Sequence, residues 1–134
     1  MNRCFLPLLF TPALALAQEL PDEDWVCITT HYQESRLFSE NNTLQNFEKN
    51  TLPNYIFNPA RGYRPLESNV EILAECAIHE SISGSDEYVC NRKSALGTTI
   101  FQLNAQEEKF NYVTTIVDEF GHTISMLLGN CNKI

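Results

Sequence analysis

Val70-Glu71-Ile72-Leu73-Ala74-Glu75-Cys76-Ala77-Ile78-His79 decides the fold class of this chain. Val70, Ile72, Ala74, Cys76 and Ile78 share one face at period two, while Glu71, Glu75 and His79 fall on the other, the pattern of a strand with one wet side. Ser81-Ile82-Ser83-Gly84-Ser85 has turn chemistry, and Glu87 to Asn91 returns antiparallel. A hairpin centred on Ser83 sets Cys76 directly opposite Cys90. In a non-hydrogen-bonded antiparallel pair the α-carbons lie about 4.5 Å apart, close enough for a disulfide.

The same period extends in both directions. Downstream, Thr98 to Leu103, Phe110 to Val117 and Thr123 to Leu128 read as strands separated by the turns Asn104 to Glu108 and Asp118 to His122. Upstream, Trp25 to Tyr32 reads as the first strand, and Tyr55-Ile56-Phe57 as a short one stopped by Asn58-Pro59. The polar, Asn-rich region Gln33 to Asn50 reads as an irregular excursion with a short strand near Leu44. Seven to eight short strands with turn signals every ~8–12 residues predict an all-β fold, an antiparallel meander forming a small barrel or a sandwich.

Pairing Cys76 with Cys90 leaves Cys27 for Cys131, which joins the first strand to the last. Two disulfides presuppose an oxidising compartment, and the N-terminus reads accordingly. Arg3, an apolar run from Phe5 to Leu16 and the small-residue site Ala15-Leu16-Ala17 have the order of a secretory signal, with cleavage before Gln18. Pro7 and Pro12 interrupt the run, which is too short for the ~20 apolar residues of a membrane span. Residues 1–17, Cys4 included, are therefore read as a signal peptide, and residues 18–134 as one all-β domain in the periplasm or outside the cell. Loss of Arg3 moves the formal charge from −8 to −9, which argues against nucleic acid and anionic lipid as partners.

The order Trp25-Val26-Cys27, Tyr55-Ile56-Phe57, Cys76, Tyr88-Val89-Cys90, Phe101-Gln102-Leu103-Asn104, Lys109-Phe110-Asn111-Tyr112 and Gly129-Asn130-Cys131-Asn132-Lys133-Ile134 resembles a group of small exported bacterial four-cysteine β proteins. That group has no established activity. The resemblance implies export, two disulfides and a β fold, and assigns no role to any residue.

Chemistry-bearing motifs are sparse. His31, His79 and His122 stand at no metal-ligand spacing, there is no GxSxG elbow or CxxC, and the five glycines are scattered. No catalytic residue, metal ligand or cofactor is assigned. Asp86-Glu87, Glu107-Glu108 and Asp118-Glu119 recur at turns, as solvated carboxylates or, gathered at one end, as oxygen ligands for calcium. Arg61-Gly62-Tyr63-Arg64 is the one basic cluster, and Arg61, Tyr63 and Arg64 are its candidate ligand contacts, suited to a carboxylate, a phosphate or a sugar acid. The competing reading pairs both arginines with local acids. These features favour a module of the cell envelope or exterior that binds a small ligand or a protein. Alternatives are an inhibitor of a secreted hydrolase and a small hydrolytic enzyme.

Overall fold

The computed structural model describes residues 19–82 and 84–134. The signal-peptide expectation at residues 1–17, with Cys4, lies outside these, and so does Ser83, the centre of the expected hairpin. Nine strands follow in chain order: β1 Trp25–Phe38, β2 Thr43–Phe47, β3 Tyr55–Asn58, β4 Gly62–Pro65, β5 Glu75–Glu80, β6 Asp86–Ser94, β7 Gly97–Asn104, β8 Lys109–Asp118 and β9 Gly121–Lys133. All pairings are antiparallel, in the order β4-β3-β1-β9-β8-β7-β6-β5, and no helix occurs among the described residues.

Curvature brings the two ends of this path almost together. Ile72, just ahead of β5, forms a bridge with Tyr63 of β4: its amide donates to the Tyr63 carbonyl at 2.8 Å and its carbonyl accepts from the Tyr63 amide at 3.3 Å. The result is a nearly closed eight-stranded barrel, which removes most of the exposed sheet edge. β2 stands outside the path, paired only with the later half of β1.

Three expectations need correction. The strand anticipated from Val70 begins only at Glu75, and Val70 itself is exposed, because residues leading into β5 cross the barrel seam to meet β4. Residues 72, 74, 76 and 78 nevertheless keep the anticipated alternation. The stretch from Gln33 is not an irregular excursion at its start: β1 continues to Phe38, held on one side by β9 and on the other by β2, which is the short strand at Leu44. Finally, β9 runs through Cys131 to Lys133 rather than fading after Leu128.

Register fixes both disulfides. Cys76 faces Cys90 across β5 and β6, Cys27 faces Cys131 across β1 and β9, and both pairs are bonded. On the loop-closure model, the links, separated by 14 and 104 residues, restrict the unfolded chain by about 3 and a little under about 5 kcal/mol respectively. Between them lies an aromatic core. Phe101, fully buried, stacks against Phe57 at 4.8 Å, Phe110 at 5.3 Å and Tyr63 at 5.2 Å. Burying one such ring contributes about 2–3 kcal/mol, and each ring pair adds roughly 0.5–1.5 kcal/mol.

A polar cup at the barrel mouth

The inward face changes character along β1. Trp25, Cys27 and Thr29 point into the core, and Thr30 then forms a bulge: Thr29 faces Gly129 and His31 faces Leu128, so Thr30 has no partner opposite. The extra residue resets the alternation. Tyr32, Glu34 and Arg36 therefore turn inward, whereas His31 stays out. Together with Thr114, Asp118, Thr123 and Ser125 of β8 and β9, they line a cavity of about 370 Å³ at the mouth of the barrel.

Cross-strand register stacks this lining in tiers. Tyr32, Leu127 and Tyr112 are neighbours at the floor, where the Tyr112 ring stacks on Tyr55 at 5.2 Å. Above them sit Glu34, Ser125 and Thr114, then Arg36, Thr123 and Ile116. Polar groups within the tiers are partnered. Glu34 Oε2 accepts from the Tyr32 hydroxyl and from Ser125 Oγ, the latter at 3.1 Å. Arg36 donates through Nε to Thr123 Oγ1 at 2.7 Å and through Nη2 to Asp118 Oδ2 at 2.8 Å. Lys49, from the segment before β3, lays Nζ 4.7 Å from the centre of the Tyr32 ring.

Burial governs the tyrosines. It is the main cause that raises Tyr55 and Tyr63 well above the ordinary phenol range, with the neighbouring Tyr112 adding to the effect. Tyr32 is raised too, by burial and by its bond to Glu34, against the opposing pull of Lys49 and Ser125. Each phenol thus stays protonated near neutrality and can donate a hydrogen bond, but it cannot act as a base.

The residues singled out by sequence do not form this cup. Arg61 is exposed and clamped by Asp24 at 2.9 Å, Asp22 at 3.2 Å and Glu71 at 3.4 Å, and Asn58 steadies both aspartates at 2.8 Å. Arg64 donates to the Ser68 carbonyl at 2.7 Å. Tyr63 is buried against Phe101, and Arg61, Tyr63 and Arg64 together border a small hollow of about 80 Å³ away from the cup. The acidic turn pairs divide between the two ends of the barrel: Asp86-Glu87 and Glu107-Glu108 lie at one end, Asp118-Glu119 at the other. All three histidines are exposed and outside the cup lining.

Sequence reading missed the cup because it carried the first strand only to Tyr32. Continued without a bulge, the alternation of Trp25, Cys27 and Thr29 would send Gln33 and Ser35 inward and Glu34 out. The one available signal was Tyr32, Glu34 and Arg36 at period two, matched by Tyr112, Thr114 and Ile116 in β8. Comparison with protein-family models, with curated proteins and with solved structures finds no match to this chain.

Proposed function

We propose that this chain is an exported binding module of the cell envelope or exterior that takes a small ligand in the polar mouth of its disulfide-pinned barrel. The observation that carries this reading is the change of the inward face from packed aromatic rings to a tier of hydrogen-bonded polar groups around a cavity of about 370 Å³. Small-ligand sites are typically concavities of roughly 300–1,000 Å³ with an apolar floor and a few placed polar groups, and barrel mouths are a common place for them. Export is supported by the two disulfides, which favour an oxidising space.

A hydrolytic role fits the cup less well. Hydrolysis in such a site needs a group free to take up a proton; the tyrosines are held in their neutral form, and the two carboxylates of the lining are already engaged, Glu34 by Tyr32 and Ser125 and Asp118 by Arg36. No histidine borders the cavity to assist them.

The test is a screen of small polar and aromatic fragments against the processed, oxidised chain, followed by amide chemical shifts. Binders should move the amides of Glu34, Thr114 and Ser125, and Ser125→Phe, which fills the cavity, should abolish the response. Hits confined to the outer face that survive Ser125→Phe would overturn the reading.

A further inference from the structure

The mouth already holds a cation that belongs to the chain. Lys49 is exposed in the segment between β2 and β3, yet its ammonium sits over the face of Tyr32 at 4.7 Å. A tyrosine face attracts a cation through its ring quadrupole, most strongly where water is partly excluded. Bonded to the Tyr32 hydroxyl is Glu34, whose only other side-chain donor among the described residues is Ser125. Both donors are neutral, and no lysine, arginine or histidine among the described residues forms a salt bridge with Glu34. The cup's other carboxylate differs, since Asp118 is neutralised by Arg36 at 2.8 Å.

A half-buried carboxylate with no salt-bridge partner among the described residues, joined to an aromatic ring already carrying an ammonium, defines a chemistry. We propose that the cup receives an organic ammonium group, and that Lys49 is a tethered occupant competing with it. This inference rests on the mouth being the binding site. Tyr32 supplies the cation-attracting face and Glu34 the charge. The stacked rings of Tyr55 and Tyr112 give an alkyl stem an apolar floor. An anionic ligand would meet Glu34 instead. The formal charge of −8 over the whole chain also draws cations toward it from solution.

The group could arrive on a free amine or on the side chain of a lysine in a peptide, and the probes separate these sources. We would titrate n-butylammonium, a blocked lysine amide, n-butanol and butyrate against the oxidised chain, Lys49→Ala and Lys49→Ala/Glu34→Gln, reading the amides of Tyr32, Glu34 and Ser125. Removing a tethered competitor of millimolar effective concentration should strengthen n-butylammonium binding by about tenfold in Lys49→Ala. Glu34→Gln on that background should weaken it by about tenfold, with n-butanol and butyrate weaker than the ammonium throughout. Tighter binding of n-butylammonium than of the lysine amide assigns a free amine, and the reverse assigns a protein side chain. Lys49 is exposed and outside every strand, so its removal leaves the fold intact, which the dispersion of the spectrum verifies. If n-butanol matches n-butylammonium and Glu34→Gln changes nothing, the mouth survives as a binding site but the ammonium proposal falls. If no probe moves these amides in Lys49→Ala, both fall.

Discussion

Tyr63 occupies the boundary between a dry core and a wet mouth. It is 2% exposed and stacks on Phe101, yet its hydroxyl has no hydrogen-bond partner among the described residues. Tyr112 and Thr99 adjoin the hydroxyl closely enough to affect its ionisation, but neither meets it in bonding geometry. A buried hydroxyl without a partner loses its hydration for nothing, so Tyr63→Phe should leave stability unchanged or raise it by about 1 kcal/mol in guanidinium unfolding. The same burial sets an alkaline limit. Folded Tyr55 and Tyr63 ionise above the ordinary value of 10.0, so below that pH their contribution is complete. As the pH rises beyond it, the unfolded chain releases protons that the folded chain retains, and stability falls until the folded phenols also ionise. Tyr55→Phe/Tyr63→Phe should flatten this decline, with phenolate absorbance following unfolding in the parent. A parent stability that stays level above pH 10.0 would contradict the assignment.

At the scale of single elements, the bulge at Thr30 matters most, because it aims three cup residues. Deleting Thr30 joins Thr29 to His31 in a regular ladder, and ordinary alternation then still sends Tyr32, Glu34 and Arg36 inward. The deletion should therefore keep the Cys27–Cys131 bond and the Glu34–Ser125 pairing, with stability changed by about 1 kcal/mol or less. Deleting His31 as well as Thr30 would reverse the parity and should abolish the cup. Disulfide mapping and the Ser125 amide shift distinguish these outcomes. The bulge also explains what sequence could reveal. Hairpins after residue 70 were legible because Cys76, Tyr88, Cys90, Phe101 and Leu103 obey one unbroken alternation. β9 was harder, since Ile124, Met126 and Leu128 look like its buried face but are exposed, while Thr123, Ser125 and Leu127 point inward. Cys131, locked to Cys27, settles that choice from four residues beyond Leu127. Arg61 pairs with acids, as the competing reading had it, but which acids could not be read from the sequence. Its partners Asp22 and Glu71 are remote from it in sequence, and only folding brings them together.

For the molecule as a whole, closure of the barrel depends on one narrow seam. Elsewhere adjacent strands share ladders, but β4 meets the segment ahead of β5 through the single Tyr63–Ile72 bridge. Gly62 makes this approach feasible. Its φ is +107°, and a β-carbon placed there would stand 2.3 Å from the Ile72 carbonyl oxygen, well inside any real contact. Gly62→Ala must move backbone rather than a flexible side chain, so it should cost about 2–3 kcal/mol and part the seam. Strain of this kind stays local when the rest of the sheet is independently held. The Cys27–Cys131 bond pins β1 to β9, and β9 lies between β1 and β8 with a ladder on each side. Hydrogen exchange in Gly62→Ala should therefore accelerate first at the Tyr63 and Ile72 amides, while Met126 in β9 keeps its protection. Uniform loss of protection across β9 and the seam would mean that closure and the sheet stand or fall together. In that case the mouth could not retain its shape when the seam opens, and ligand binding would decline in step with exchange at Tyr63.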